Sequence, residues 1–476
     1  MAPVTHDSDI FQRAADGVRP TAVVVAVQLP GITDGELASS IAELERLAKT
    51  LGLDPIGRIV QRRARLAPGV VLGTGKLAEL AEWTGGSGEV PTFESVVSRR
   101  RRKEAEADAD ADADLDEPDP DDAPAASVAP ARKAEVVLVD HDLTPTQHHN
   151  LERASGVDVL DRSSVIIEIF HRHAKTREAR LQVELARLRY LAPRLRASSG
   201  GGDRVRGGIG GKGAGESSLE LDRRRIRDRI AELNHELAQL GGGAQTRRER
   251  RSELPTVALV GYTNAGKSSL MRALTSTDVY VADKLFATLD TTVRRLQPPT
   301  DPPILVTDTV GFIKKLPHDL VASFRSTLDE AADADLLLHV IDASDAAHAD
   351  QLAVTREVLA EIGADPVETW LVLNKIDRVD DDARAALADH YPGALQLSAK
   401  RPADVAALRD RLVERFVGAL EEAELDIPWS HQRLVHVVHE RATVLAETHH
   451  EAGTVVRLRA PARVIEGLRV ALGSDA

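Results

Sequence analysis

The sequence predicts an α/β protein built from several units, and three patterns along the chain carry this prediction. Residues 21–170 and residues 252–420 each alternate short apolar strand patterns with amphipathic helical patterns, as in sheets covered by helices. Residues 171–250 carry two long helical stripes joined by a Gly-rich stretch, which predicts a long antiparallel helical hairpin. Residues 421–476 predict a small C-terminal α/β domain, with a helix at 434–446, a strand at 454–458 and a last helix at 463–472. Residues 1–20 predict a flexible tail.

Composition sets limits on the class of protein. A chain of 476 residues is long enough for about three domains. It contains no cysteine, so disulfides and thiolate metal sites are excluded. The N-terminus lacks the basic start and apolar core of a signal peptide, and no apolar run has the length of a membrane span. We therefore expect a cytoplasmic monomer.

The N-terminal α/β domain is predicted from strands at 23–29, 59–62, 136–140 and 157–160, with helices at 40–51 and 146–155. A charged insertion at about 92–133 interrupts it. Within this insertion, residues 99–122 hold five basic residues followed by eleven acidic ones, and such a segment is expected to be disordered. The acidic run 104–122 is either a solvated surface insertion or a mask over a basic RNA-binding face.

The predicted hairpin is strongly basic although the whole chain has a net charge of −14. Residues 172–251 hold twenty Lys and Arg against ten Asp and Glu. Apolar residues at 226, 230, 233, 237 and 240 form one seam, and those from 181 to 195 form a second stripe that Pro193 should end or kink. The Gly-rich tip, 198–218, suits close approach to folded RNA, and a protein-binding coiled coil is the alternative. The expected RNA contacts are Arg204, Arg206, Lys212, Arg223, Arg224 and Arg225.

A phosphate-binding loop follows an apolar strand in the segment 256–269, TVALVGYTNAGKSS. The spacing G-x-x-x-x-G-K-S allows backbone N–H groups to surround phosphate oxygens at a helix N-terminus. Lys267 is expected to neutralise the β- and γ-phosphates, and the Ser268 hydroxyl to bind Mg²⁺. The predicted nucleotide-binding residues here are Gly261, Tyr262, Thr263, Asn264, Ala265, Gly266, Lys267 and Ser268.

Guanine is the base that two further motifs predict. Segment 371–377, LVLNKID, ends an apolar strand with N-K-x-D, where the Asp377 carboxylate can accept hydrogen bonds from N1–H and N2–H₂ of guanine. Adenine lacks this pair of donors and would leave the carboxylate unpaired. Segment 396–400, QLSAK, suits closure over the guanine O6 atom. The predicted base-site residues are Asn374, Lys375, Ile376, Asp377, Ser398, Ala399 and Lys400.

Two segments between these motifs are predicted to sense the γ-phosphate. Segment 303–311, PILVTDTVG, ends in D-x-x-G, where Asp308 is expected to hold Mg²⁺ through water and the Gly311 N–H to contact the γ-phosphate. Segment 286–292, FATLDTT, offers Thr288, Thr291 and Thr292 as the second protein ligand to Mg²⁺. The predicted binding residues are Phe286, Ala287, Thr288, Leu289, Asp290, Asp308, Thr309, Val310 and Gly311.

Phe312 follows Gly311 where a glutamine could orient the attacking water. We therefore expect slow GTP hydrolysis that depends on a partner. Asn264 either helps to bind a monovalent cation such as K⁺ or only hydrogen-bonds within its loop. Lys267, Thr288, Gly311 and Asn264 are the predicted catalytic residues.

The motifs GYTNAGKSS, LFATLDTT, DTVGFIKKLPHDLVASFRSTL, NKID and SAK, preceded by GGIGGKGAGESSLELDRRRI, resemble the HflX family of ribosome-associated GTPases. The resemblance favours Thr288 over Thr291 and Thr292 as the Mg²⁺ ligand, beside Ser268. It implies binding to the large ribosomal subunit and its rRNA, with the hairpin directed toward the peptidyl-transferase region. The tip reads G-E-S-S-L-E from 215 to 220, whereas G-E-T-Q-L-E is common in the family.

The function predicted is a GTPase that binds the large ribosomal subunit and uses GTP binding and hydrolysis to split, rescue or recycle ribosomes under stress. The ribosome is then expected to stimulate its hydrolysis. Two alternatives remain open. One is a GTPase that assists ribosome assembly or RNA maturation, and the other is a signalling GTPase with a protein-binding hairpin.

Overall fold

A computed structural model describes residues 19–90, 132–194, 218–251, 254–276, 286, 292–314, 325–418 and 420–473. These residues form three sheets covered by helices, which confirms the predicted α/β class. The chain divides into two compact units. One holds the N-terminal sheet and residues 180–235 of the hairpin, and the other holds the two remaining sheets. Most of the predicted tail, the charged insertion and the Gly-rich tip lie outside the described residues.

The N-terminal sheet is fully parallel because each of its strands is followed by a helix. Its order is β2-β1-β3-β4, and β1 is buried along its whole length. Thr33 and Thr144 begin two of the helices with capping boxes, in which each threonine and the residue three positions later satisfy one another's backbone N–H groups. The elements are β1 (Thr21–Gln28), α1 (Asp34–Thr50), β2 (Asp54–Arg62), α2 (Thr74–Thr84), β3 (Val136–Val139), α3 (Pro145–Ser155), β4 (Asp158–Asp161) and α4 (Arg162–His173).

The hairpin consists of α5 (Arg177–Arg194) and α6 (Ser218–Arg251). Its two helices are joined by ion pairs of Arg177 with Glu236 and of Glu184 with Arg229. From the first pair to the second, the position on α5 rises by seven residues while the position on α6 falls by seven. The two helices are therefore antiparallel. Pro193 lies inside α5, one residue before the last residue of this helix that the structure describes. The buried seam residues are Leu181, Leu185, Ile226 and Leu233.

The largest sheet has six strands in the order β10-β9-β8-β5-β7-β6, and only β6 runs antiparallel to its neighbour. Apolar clusters cover both faces of it, with Leu259 and Val340 in one and Val260 and Leu337 in another. The parallel strands end at one edge, where the phosphate loop lies. The elements are β5 (Thr256–Gly261), α7 (Lys267–Thr275), β6 (Thr292–Arg295), β7 (Leu305–Asp308), α8 (Arg325–Ala332), β8 (Leu336–Asp342), α9 (His348–Glu361), β9 (Thr369–Asn374), α10 (Asp381–His390), β10 (Leu395–Gln396) and α11 (Pro402–Val417).

The C-terminal domain differs from the prediction in one element. A helix was predicted at 434–446, but α12 ends at Arg441 and β12 begins at Thr443. Ala442 has an extended backbone, and β12 pairs with β13 over its whole length, so sheet pairing overrides the helical pattern there. The antiparallel sheet has the order β11-β13-β12, formed by β11 (Leu420–Pro428), α12 (Arg433–Arg441), β12 (Thr443–His450), β13 (Gly453–Pro461) and α13 (Ala462–Gly473).

Every helix in the part of the chain that the structure describes is too short or too polar to cross a membrane.

Candidate nucleotide-binding site

The phosphate loop connects the carboxyl end of β5 to the first residue of α7. Gly261 has φ +144°, and a Cβ atom there would lie 2.1 Å from the Val340 carbonyl oxygen. Gly266 has φ +99°, and its Cβ would lie 2.2 Å from Nδ2 of Asn374. No larger residue fits either position without moving its neighbours. The two glycines therefore keep this loop pressed against the ends of β8 and β9.

Lys267 is buried inside the loop and holds its shape. Its Nζ donates hydrogen bonds to the carbonyl oxygens of Gly261, at 2.8 Å, and Tyr262, at 2.9 Å. Burial lowers the pKa of Lys267 to about 8, and the Asp308 charge opposes that shift. The ammonium group therefore stays mainly protonated at neutral pH, as charge neutralisation of a phosphate requires.

The predicted Mg²⁺ ligand Ser268 lies beside Asp308, which is expected to hold the metal through water. β5 and β7 are neighbouring parallel strands, and their pairing brings Asp308 next to the start of α7. The Ser268 hydroxyl donates a hydrogen bond of 2.7 Å to the Asp308 carboxylate. A hydroxyl and a carboxylate are the hard oxygen donors that Mg²⁺ prefers, so this pair fits the metal. Thr288, Ala287, Leu289 and Asp290 lie outside the described residues, whereas Phe286 is buried.

Gly311 lies directly against the phosphate loop. A Cβ atom on it would be 3.0 Å from Nζ of Lys267 and 2.9 Å from Cγ2 of Thr263. On its amino side, Thr309 is fully buried and donates its hydroxyl hydrogen to the Leu259 carbonyl oxygen, while Val310 is also buried. The D-x-x-G turn is thereby fixed to β5, and its glycine backbone lies beside the lysine expected to bind the same phosphate.

Phe312 is bound to the loop by its backbone, and its side chain lies in the core. Its N–H donates to the Gly261 carbonyl at 3.2 Å, and its carbonyl accepts from the Thr263 N–H at 2.7 Å. The ring is 1% exposed and packs in the same apolar cluster as Leu328. This side chain therefore does not reach the space where a water would attack the nucleotide.

A contact missed from the sequence extends this bridge. The Tyr262 hydroxyl, in the phosphate loop, accepts a hydrogen bond of 2.7 Å from the Lys314 N–H. Lys314 is also paired with Asp350 of α9 at 2.9 Å. The chain after D-x-x-G is thus attached to the phosphate loop on one side and to a helix on the other. Nothing in the sequence pattern relates Tyr262 to a residue so far along the chain.

Asn374 joins the three predicted loops of the site. Its Nδ2 donates to the Ala265 carbonyl at 2.8 Å, and its Oδ1 accepts from the Ala399 N–H at 3.0 Å. Asn374 is 1% exposed, so these bonds are shielded from water. The predicted bracing role therefore corresponds to observed contacts with the phosphate loop and with the S-A-K turn.

Lys375 spans the edge of the base site. It has φ +60°, and its Nζ contacts the Asn264 carbonyl and the Asp342 carboxylate, both at 2.7 Å. Asp342 ends β8 and was not among the predicted residues. The sequence feature that could have identified Asp342 is its position at the end of an apolar strand. Ile376, next to Lys375, is buried in an apolar cluster with Leu373 and holds the turn against the core.

Asp377 lies at the surface beside the S-A-K turn. A hydrogen bond from the Ser398 hydroxyl lowers the pKa of Asp377, with smaller contributions from Lys400 and Arg378. The Ser398 N–H is itself bound by Asp404 at 2.8 Å, and the Lys400 N–H donates to the Ser398 hydroxyl oxygen at 3.2 Å. The carboxylate is therefore ionised at neutral pH, as an acceptor for two base N–H groups must be.

Comparison with known proteins places the whole chain in one family. The GTPase HflX of Gluconacetobacter diazotrophicus is 55% identical over 455 residues, which cover 96% of this chain and 98% of that protein. The GTPase HflX of Caldanaerobacter subterraneus is 36% identical, with 94% and 92% covered, and that of Escherichia coli is 42% identical, with 71% and 80% covered. The chain belongs to the HflX GTPase family. This chain is accordingly a GTPase, and the predicted resemblance is confirmed.

Three family models match successive parts of this chain. Residues 38–99 and 124–171 match "GTP-binding GTPase N-terminal", and residues 173–251 match "GTP-binding GTPase Middle Region". Residues 256–375 match "50S ribosome-binding GTPase". The last match contains the phosphate loop, D-x-x-G and the N-K part of N-K-x-D, so GTP and GDP are the nucleotides of this site, with the Mg²⁺ usual for such enzymes.

Proposed function

We propose that this HflX-family GTPase binds the large ribosomal subunit through its basic hairpin and uses GTP binding and hydrolysis to split, rescue or recycle ribosomes. The observation that carries the proposal is the arginine-rich surface of α6, in a chain whose nucleotide-binding domain matches the 50S ribosome-binding model. Arg224 and Arg225 are exposed there. Arg225 pairs only loosely, at 3.2 Å, with Asp222 of its own helix.

The charge of this surface suits RNA. Exposed ion pairs contribute little to stability, so Arg225 can exchange Asp222 for a phosphate at small cost. Arg223 is half-buried in the same run, while Arg204, Arg206 and Lys212 lie outside the described residues. A surface that neutralises several phosphates should lose affinity steeply as salt concentration rises.

In the reaction that we propose, a water molecule attacks the γ-phosphorus and the bond from this phosphorus to the β–γ bridging oxygen breaks. Lys267 and the Gly311 N–H would bind the γ-phosphate oxygens, and Ser268 would hold Mg²⁺ with Asp308 beside it. The metal supplies charge neutralisation for the phosphates. Because the Phe312 ring lies in the core, this chain's own D-x-x-G segment offers no side chain at that position to orient water. We therefore propose that the intrinsic rate is low and that the ribosome raises it.

Cosedimentation through sucrose gradients with purified ribosomal subunits tests the proposal, with a GTP analogue compared with GDP. Migration with the large subunit only in the analogue state is expected. The variant Arg224→Gln/Arg225→Gln should weaken binding and lower the salt slope by about one per lost phosphate contact. Arg457→Gln/Arg459→Gln is the matched control, because these arginines are also exposed but pair with Glu422 in the C-terminal domain.

Three outcomes separate the proposal from its alternatives. Binding to free rRNA without binding to assembled subunits would favour RNA maturation. Salt-insensitive binding to a protein would favour signalling. Splitting is measured separately, as conversion of intact ribosomes to subunits, and an absence of GTP-dependent conversion would remove that part of the proposal.

A further inference from the structure

The Asp161 carboxylate, at the carboxyl end of β4, accepts four hydrogen bonds inside the N-terminal unit. Asp161 is completely buried. Its Oδ1 accepts from the Ser164 N–H at 2.8 Å and the Tyr190 hydroxyl at 2.7 Å. Its Oδ2 accepts from the Leu143 N–H at 3.2 Å and the Arg194 guanidinium at 2.8 Å. The acceptor capacity of a carboxylate is about four bonds, so this group is fully used.

Two of these four donors belong to the last turn of α5. The Arg194 guanidinium stacks over the Tyr190 ring at 3.4 Å from its centroid, and it also donates to the carbonyl oxygens of Tyr190 and Leu143. Burial, together with the Asp161 charge, raises the pKa of Tyr190 well above its ordinary value, so its hydroxyl keeps the proton that it donates. The end of α5 is thus attached to the sheet at one buried anion.

The strand end that carries Asp161 is itself rigidly held. Arg162, the next residue, is 1% exposed and forms ion pairs with Glu43 of α1 and with Asp140 after β3. Asp140 also accepts a hydrogen bond of 2.6 Å from Ser40. Displacing the strand end would separate these partners and leave a buried charge without compensation, which is strongly unfavourable.

Beside their buried apolar seam, the hairpin helices within this unit are joined by an exposed ion pair. Glu184 of α5 pairs with Arg229 of α6, but their side chains are 41% and 36% exposed. Exposed pairs of this kind are worth little and are screened by salt. Asp161 is thus a buried point at which α5 is attached to the N-terminal sheet, and it contributes to the direction in which the hairpin leaves that sheet.

We propose that Asp161 is a positioning residue that fixes the hairpin on the N-terminal sheet, so that the arginines of α6 are presented in one orientation to the large ribosomal subunit. The ribosomal partner in this inference rests on the proposed function, whereas the hydrogen bonds of Asp161 are observed in the structure. Asp161 does not touch RNA or nucleotide in this role. It acts through Tyr190 and Arg194.

The orientation can be measured without any ribosome. Because the chain has no cysteine, Lys49→Cys and Ala231→Cys place two spin labels on exposed positions of α1 and α6 with no background thiol. Pulsed electron paramagnetic resonance should give one narrow distance distribution in the otherwise unchanged protein. Asp161→Asn should broaden it clearly, and Tyr190→Phe, which removes one donor, should broaden it less. An unchanged distribution in both variants would overturn the proposal.

Tyr391→Phe is the matched control for the tyrosine change. The Tyr391 hydroxyl has no hydrogen-bond partner among the residues that the structure describes, and it lies in the other unit. Its removal should leave the distance distribution unchanged. Glu184→Gln, which breaks the exposed pair with Arg229, should have a smaller effect than Asp161→Asn.

Binding to purified large subunits then tests the functional part. We expect Asp161→Asn to raise the Kd roughly tenfold or more and Tyr190→Phe to raise it about threefold, as for bonds to a charged acceptor. GTP turnover without ribosomes should stay at the unaltered protein's rate in both variants. Loss of this turnover together with binding would mean that the variant is generally unfolded, whereas unaltered Kd values in folded variants would contradict a positioning role.

Failure of the two proposals gives different results. If the unaltered protein does not bind the large subunit, the proposed function fails while the spin-label distances still test the anchor. If Asp161→Asn does not fold, Tyr190→Phe carries the test, since it removes only a hydroxyl. A Tyr190→Phe protein with normal distances and a normal Kd would then overturn the positioning role.

Discussion

Replacing Asp377 with asparagine should change the base specificity of the site from guanine to xanthine. In the structure the Ser398 hydroxyl lowers the pKa of this carboxylate. The loop around it is fixed by Asn374 through hydrogen bonds to Ala265 and Ala399. An Asp377→Asn side chain keeps the same shape but turns one acceptor into a donor. It would then face the guanine amino group with an N–H group, whereas xanthine offers a carbonyl oxygen at that position.

The size of the effect follows from the bond to the guanine amino group. Losing this bond to an ionised acceptor costs about 1.5–3 kcal/mol, and leaving the amino group without an acceptor costs about 1–3 kcal/mol more, so the total is about 2.5–6 kcal/mol. This corresponds to a GTP affinity weaker by roughly 10² to 10⁴. Xanthosine triphosphate should bind the variant more tightly than it binds the unaltered protein by a comparable factor.

Fluorescent nucleotide titration measures both affinities, and phosphate release measures turnover of each triphosphate. Asp389→Asn is the matched control, because Asp389 is exposed on α10 and belongs to none of the predicted nucleotide-binding motifs. A misfolded variant would lose both nucleotides, so rescue by the xanthine nucleotide separates specificity from stability. If the variant bound GTP within about threefold of the original, or gained nothing for xanthine, the assignment of Asp377 to the base would be refuted.

Three further outcomes are expected. Tyr262→Phe removes the acceptor of the Lys314 N–H and should slow intrinsic GTP turnover about threefold to tenfold with unchanged GDP affinity; equal turnover would show that this bond does not support the D-x-x-G segment. Burial, with the Asp158 charge second, raises the pKa of Glu152 from 4.5 to about 7, so the stability associated with its protonated form falls as pH rises through this window. Glu152→Gln should therefore raise the free energy of unfolding at pH 8 by at most about 3 kcal/mol, seen as a higher Tm, and leave it unchanged near pH 4. The same Tm shift at both pH values would contradict the raised pKa of Glu152. If Asn264 helps to bind a monovalent cation, GTP turnover should be faster in K⁺ than in Na⁺ buffer, and equal rates would leave it as a loop residue.

Local motifs made the nucleotide site largely predictable, because each one joins a strand to its loop within a few residues. The spacing of Gly261, Gly266 and Lys267 and the N-K-x-D run needed no knowledge of distant contacts. Parallel strands then brought these loops to one edge. The α/β class was predicted on the same basis and is confirmed.

Contacts between distant residues could not be predicted in this way. The pairing of Asp342 with Lys375 and the attachment of α5 to Asp161 join residues about thirty positions apart, with no repeating pattern. The predicted end of the helix at 434–446 was wrong for a related reason. Apolar residues after Arg441 fit a helical pattern equally well, and only pairing with β13 decides for a strand.

The buried position of Phe312 changes what its substitution can be expected to do. The backbone of a glutamine at 312 would still be hydrogen-bonded to Gly261 and Thr263. Its side-chain amide would then lie in the apolar cluster that holds the Phe312 ring. Burying that amide without partners is unfavourable, and reaching the nucleotide instead would require the backbone bridge to open. The residue type after D-x-x-G is therefore only part of the reason for expecting slow hydrolysis. The other part is the attachment of this segment to the phosphate loop, so a stimulating partner has two routes, which are to supply the missing group or to rearrange that attachment.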